Sequence, residues 1–259
     1  MKPLRALGLA LLLASCQQGR PPAVRPRAAH QAAGSPATVR LDSLALFDSA
    51  RQRAVPVALY FPGGGGPNAR LKAALLSHGY GGHCTDYSFI ARNLVAHGYF
   101  VASVQHELPT DAPLPTVGAP QVVRRPNWER GVQNLLFVRR ALQRRYPRVD
   151  FDALLLVGHS NGGDTALLFA QEHPALVRRV ISLDNRRMPW PRARRPQILS
   201  LRSSDQVADS GVVHTPAEQR RYGSTVVRLP HTLHDDMWDG ATDGQKQEIN
   251  ALIAEFLTR

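Results

Sequence analysis

From Thr38 onward the apolar positions fall into short runs divided by polar and glycine-rich stretches. Thr38–Phe47 and Val55–Phe61 flank the turn residues Asp48-Ser49-Ala50-Arg51, which predicts an antiparallel strand pair. Pro62-Gly63-Gly64-Gly65-Gly66-Pro67 reads as a loop. Strands and helices then alternate. Ala73–Ser77 is a short apolar strand, Tyr87–Ala96 an amphipathic helix and Phe100–Val104 a strand. Asn127–Tyr146 predicts a long helix with Trp128, Leu135, Leu136 and Leu142 inward and Arg139, Arg140, Arg144 and Arg145 on a solvated face. Ala153–Val157 has the unbroken apolar character of a central parallel strand, and a helix over Ser160–Glu172 follows it. Further strands are expected at Val180–Leu183, Ile198–Leu201 and Thr225–Leu229. Thr242-x-x-Gln245 forms a capping box that opens a last helix running to Leu257. Repeated βα units of this kind imply an α/β fold, with a mainly parallel sheet covered by helices on both faces.

The first 37 residues follow a different pattern. Lys2 and Arg5 precede an apolar run, Ala6–Ala14, too short to span a bilayer. The run ends in Leu13-Ala14-Ser15-Cys16, which resembles a bacterial lipobox. That resemblance implies cleavage after residue 15, lipidation of Cys16 and export as a lipoprotein. Gln17 after the cysteine favours the outer membrane, on its periplasmic face or at the cell surface. Residues 16–37 are rich in Pro, Ala and Arg and read as a semi-rigid tether. The expected organisation is a signal peptide over 1–15, the tether over 16–37 and one domain over 38–259.

Composition narrows the alternatives. Hydrophobic residues make up 43% and charged residues 20%, which excludes a disordered chain. With Cys16 acylated, Cys84 has no partner for a disulfide. The net charge is +12, and of 32 basic residues only Lys2, Lys72 and Lys246 are lysines, leaving 29 arginines. On an exported chain, that surplus reads as surface and tether charge beside a membrane, not as a nucleic-acid footprint. The glycines of the 62–67 loop open no helix with a phosphate-binding signature. His78, His83 and His106, with Cys84, match no metal-ligand spacing, so neither metal nor cofactor is expected.

The chemistry centres on Gly158-His159-Ser160-Asn161-Gly162, a G-x-S-x-G between the central strand and a helix. In that context the serine sits exposed on a sharp strand-to-helix turn, and the glycines give it room. Ser160 is the expected nucleophile. Ser77-His78-Gly79-Tyr80-Gly81-Gly82, Tyr87-Ser88 and His97-Gly98-Tyr99-Phe100-Val101-Ala102 complete a wider pattern. From about Val55 to Leu257 the chain resembles the α/β-hydrolases, in particular platelet-activating-factor acetylhydrolase-like and cutinase-like polyester hydrolases. The resemblance implies oxyanion donors at the backbone N–H groups of Tyr80 and Asn161. It also places the base at His234, since His234-Asp235-Asp236-Met237-Trp238-Asp239 resembles the acetylhydrolase-like His run; His231 reads as a loop residue. Two acids fit. Asp205 lies just past the strand ending at Leu201, and Asp184 ends the strand before it; Asp205 is preferred and Asp184 is the alternative.

Only 11 residues separate Asp184 from Pro196, too few for a cap domain. An open cleft is therefore expected, walled by Tyr80, Met188, Trp190 and Trp238. The reading is a monomeric serine esterase acting on short acyl esters, lipids or polyesters. A peptidase or amidase with the same triad, or a non-catalytic lipoprotein binding module, is the alternative.

Overall fold

The first pair of strands forms as the sequence suggests. In the computed structural model, which describes residues 38–64 and 70–259, β1 (Val39–Asp48) and β2 (Arg53–Pro62) pair antiparallel from Val39 opposite Pro62 to Asp48 opposite Arg53. The signal peptide, Cys16 and the tether over 16–37 lie outside the described residues. The chain continues through β3 (Lys72–Ser77), α1 (Ser88–Ala96), β4 (Tyr99–Val104), α2 (Pro120–Val123) and α3 (Arg125–Arg145). It then forms β5 (Asp150–His159), α4 (Asn161–Glu172), β6 (Val177–Leu183) and β7 (Gln197–Arg202). The last elements are α5 (Pro216–Tyr222), β8 (Thr225–Arg228) and α6 (Asp243–Thr258).

The eight strands of the described residues form one sheet, ordered β1-β2-β4-β3-β5-β6-β7-β8. β2 is antiparallel to both neighbours, and every other pairing from β4 to β8 is parallel. Two reversals in succession turn β1 back into the common direction, so only β2 runs against the rest.

The pleat divides each central strand between two cores. Leu75 of β3 and Leu154 and Leu156 of β5 pack with Trp128, Leu135 and Leu142 of α3 and Leu167 of α4. Leu76, Leu155 and Val157 point the other way, onto Ile90 and Leu94 of α1 and Ile253 and Phe256 of α6. The capping box of α6 forms as expected: Thr242 Oγ1 accepts from Gln245 N–H and Gln245 Oε1 from Thr242 N–H.

Three elements differ from the sequence reading, the first being α2, a four-residue helix with no buried residue that the sequence did not suggest. β5 extends well beyond the apolar run at both ends, because its outer residues still find partners on β3 and β6. Helix α5 has no apolar stripe and no buried residue, so periodicity gave it no signal. Its signal is terminal: Thr215 and Glu218 form a capping box, Pro216 occupies the first turn, and Gly223 closes it at φ 75°.

Candidate active site

Ser160 sits where β5 gives way to α4, with φ 51° and ψ −117°. A left-handed φ is costly for a side chain with a Cβ, and the flanking glycines show what holds it. A Cβ on Gly158 would lie 2.3 Å from the Gly162 carbonyl oxygen. One on Gly162 would lie 2.4 Å from the carbonyl oxygens of both Ser77 and His78. The turn is therefore wedged against the end of β3, and Ser160 N–H is fixed by the Leu183 carbonyl at 2.9 Å.

Ser160 Oγ lies 2.9 Å from His234 Nε2, and His234 Nδ1 lies 2.6 Å from Asp184 Oδ2. His234 is in the short 3₁₀ turn His234–Asp236 after β8, and its side chain is nearly buried. Asp184 follows β6 at φ 54°, fully buried. Its carboxylate also accepts from Ser203 Oγ at 2.7 Å and Ser203 N–H at 3.2 Å. Arg202 Nη2 stands 2.8 Å from Oδ1 as an ion pair without hydrogen-bond alignment. Burial pushes the Asp184 pKa up, but His234, Arg202 and Ser203 together outweigh it, so the carboxyl stays below its usual value. An ionised Asp184 fixes the proton of His234 on Nδ1 and leaves Nε2 to accept from the serine.

The preference for Asp205 is corrected by this geometry. Asp205 is exposed, and its Oδ1 accepts the backbone N–H of His234 at 2.8 Å, not the ring. The reason is local. After β7 the chain turns so that Ser203 faces Asp184 and carries Asp205 past the imidazole, while the left-handed φ at Asp184 aims its carboxylate at Nδ1. His231 is exposed, and among the described residues its carbonyl accepts from Gln245.

Asn161 directly follows the serine, and Tyr80 directly follows Gly79 in the loop after β3. Neither backbone N–H has an acceptor among the described residues, and Asn161 opens α4, whose dipole favours negative charge at that end. The Asn161 side chain is fixed between Asn127 Oδ1 at 2.8 Å and Trp128 Nε1–H at 2.7 Å. These supports were not foreseen in the sequence.

A second connection joins the two halves of the site. Gly79 N–H donates to Tyr87 Oη at 3.0 Å, and Tyr87 Oη lies 2.8 Å from His159 Nδ1. Because His159 Nε2 faces the His234 carbonyl, which can only accept, Nε2 carries the ring proton and Nδ1 accepts from the Tyr87 hydroxyl. His159 Nε2–H then donates to the His234 carbonyl at 3.0 Å. Burial, with His234 nearby, lowers the His159 pKa to about 3, so the ring stays neutral and the tautomer is fixed. Neither Tyr87 nor His159 was given a role from sequence, since a residue inside G-x-S-x-G reads as a spacer. Asp239 adds a third tie: its carboxylate accepts from Ser88 and Phe89 N–H at 2.9 and 3.1 Å, capping α1 from the base loop.

Of the four expected cleft walls, two are in place. Tyr80 and Trp238 are exposed and line a depression of about 470 Å³ with Gly79–Gly82, His159, Asp86 and Asp235. Met188 and Trp190 are buried instead. The segment after Asp184 turns inward because Asp164 accepts from Arg187 and Met188 N–H, at 3.0 and 2.8 Å, and Trp190 Nε1–H donates to Asn185 at 3.1 Å. No helix or strand lies between β6 and β7 among the described residues, so no cap domain is inserted at that point. Cys84 is half-buried, and burial raises its thiol pKa.

Sheet order, nucleophile turn and the Ser-Asp-His chain order are those of the α/β-hydrolase fold, and the comparisons agree. Residues 69–184 match the hydrolase family described as serine aminopeptidase, S33. No curated protein matches the sequence. Similar solved structures include a ferulic acid esterase from Streptomyces cinnamoneus, at 20% identity and TM-score 0.57 over 82% of this chain and 81% of that one. A fungal esterase from Rhizomucor miehei has TM-score 0.64 at 14% identity, covering 86% of this chain and 83% of that one. A thermophilic esterase from Thermogutta terrifontis, solved with butyrate bound, has TM-score 0.60 at 14% identity over 86% and 94%. The chain has an α/β-hydrolase fold.

Proposed function

We propose that the protein is a serine hydrolase that cleaves carboxylic esters through an acyl-enzyme. One observation carries the reading: Ser160, His234 and Asp184 form an unbroken hydrogen-bonded chain, and the backbone N–H groups of Tyr80 and Asn161 have no acceptor among the described residues. His234 Nε2 takes the serine proton as Oγ attacks the ester carbonyl, and the N–H groups of Tyr80 and Asn161 receive the developing oxyanion. Asp184 stabilises the imidazolium, which then protonates the leaving alcohol. Water repeats the sequence to free the acid. The cleft, walled by the exposed Tyr80 and Trp238, suits acyl esters that extend beyond the site, and the esterases of similar fold support the ester assignment.

The family match favours a second reading, hydrolysis of peptides or amides by the same triad. A panel of p-nitrophenyl esters from acetate to palmitate, run beside matched anilides, separates the two. Ester turnover well above anilide turnover is expected; the reverse order assigns the protein to amide hydrolysis.

The sequence before Thr38 supports export as a lipoprotein, acylated at Cys16 and held at a membrane. Mass spectrometry of the mature N-terminus tests this part independently. A monomer is the expected state, and the triad draws on one chain alone.

A further inference from the structure

We propose that the pole of the domain opposite Ser160 is a docking surface for an anionic lipid bilayer, and that it holds the catalytic pole facing away from that bilayer. The sheet defines the two poles. β1 and β3 to β8 run in one direction, and Ser160, Asp184 and His234 all lie beyond carboxyl ends of these strands. Their amino ends form the other pole, and basic side chains gather there. Arg70 precedes β3, Arg144 and Arg145 end α3 just before β5, Arg178 is the second residue of β6, and Arg194 and Arg195 precede β7. All six are exposed, and none has an acidic partner within ion-pair distance among the described residues.

Arg70 and Arg178 line adjoining depressions, and the other four arginines precede strands at the same end of the sheet. A depression lined by Arg70 and Asp150 adjoins another lined by Asp150, Lys72 and Arg178, which brings the starts of β3, β5 and β6 together. Of the acids nearby, Asp152 pairs with Arg139 and Glu255 with Arg259, while Asp150 accepts the Asp152 N–H and is the carboxylate between the two depressions, against six arginines. The catalytic pole has a different character, with exposed Tyr80, Val117, Val122, Val207, Leu233 and Trp238.

Two observations favour a bilayer over other polyanions. Thr38, where the described domain begins, enters β1 at the basic pole. In the sequence it follows the apolar run Ala6–Ala14 and Cys16, so a lipid anchor on that segment is joined to the domain at the basic pole. The six exposed arginines also supply an attraction to acidic headgroups that acts beside a lipid anchor and orients the domain on it. The choice of a bilayer rests on the lipoprotein reading; the patch itself does not. In this orientation the site takes esters arriving from the aqueous side, not lipids drawn from the bilayer that holds it.

Sedimentation of the full chain with vesicles tests the proposal, with Cys16→Ser in every sample so that no acyl chain contributes. The measured quantity is the gain in binding when phosphatidylglycerol is mixed into phosphatidylcholine vesicles. Arg178→Glu with Arg195→Glu is expected to cut that gain by about tenfold or more, and salt to suppress it. The charge-matched pair Arg92→Glu with Arg228→Glu, away from this pole, is expected to change it little. Trp238, the exposed tryptophan of the described residues, is expected to stay open to acrylamide in the bound state. Equal losses in both pairs, no gain from phosphatidylglycerol, or shielding of Trp238 on binding overturns the proposal. Retention of heparin or RNA without a vesicle gain reassigns the patch and overturns it equally. Hydrolysis is not part of the readout, so the outcome is independent of the esterase assignment.

Discussion

Nδ1 of His234 lies 2.6 Å from Asp184 Oδ2, and the same carboxylate is held by Ser203 and faced by Arg202. Asp184→Asn is expected to lower kcat by about a thousandfold or more, because an amide there no longer enforces the Nδ1–H tautomer. Asp205→Asn keeps an oxygen for the His234 backbone N–H and is expected to cost less than about tenfold, as one neutral hydrogen bond replaces a charged one. Steady-state kinetics of the two variants decide between the acids.

Tyr87→Phe removes the hydroxyl that joins Gly79 N–H to His159 Nδ1 and leaves both without a protein partner. Unpaired buried groups cost roughly 1–3 kcal/mol each. If that cost falls on the placement of Tyr80 and His234, kcat drops roughly tenfold or more while KM changes little. His159→Gln, whose amide can still donate to the His234 carbonyl, is expected to lose less than His159→Ala. A loss in Tm with kcat intact would make the relay purely structural.

Glu107 supplies a pH signature. Its side chain is 14% exposed, its Oε2 stands 3.5 Å from His78 Nδ1 without a hydrogen bond, and burial raises its pKa to about 7 from an ordinary 4.5. A carboxyl with a raised folded value stabilises the fold fully below the unfolded pKa and loses that contribution as pH rises through the folded one. Glu107→Gln is therefore expected to match the wild type near pH 4 and to exceed it above about pH 7, by on the order of 2 kcal/mol. Thermal unfolding across this range measures the difference; a gap that is largest in acid contradicts the assignment.

Gly158→Ala and Gly162→Ala each drive a methyl group into backbone within 2.4 Å, where no side chain can yield. Each is expected to cost about 3 kcal/mol or more, in the range of severe overpacking. Ala at Gly64, whose Cβ position is open, should be near neutral. Chemical denaturation of the three variants checks the ordering.

The sheet, the nucleophile turn and the base were legible because each has a local signature: an apolar run, G-x-S-x-G in a strand-to-helix context, and a histidine run after the last strand. The acid was not. Asp184 and Asp205 both stand just past neighbouring parallel strands, and only the left-handed φ at Asp184 and the turn at Ser203 separate them. Met188 and Trp190 misled for a related reason: aromatic and sulfur side chains in a loop beside the site gave no sign that Asp164 would draw the loop inward. Tyr87 and His159 were silent because their roles arise from partners 8 and 75 residues away.

The central claim is that Ser160 is a nucleophile activated by His234. Intact-protein mass spectrometry after treatment with a fluorophosphonate ester measures it most directly, with Ser160→Ala and His234→Ala alongside. One covalent adduct on Ser160 is expected, absent in Ser160→Ala and formed at least about a hundredfold more slowly in His234→Ala. Folded wild-type protein that remains unlabelled and turns over no ester, or a label that persists in Ser160→Ala, would contradict the account.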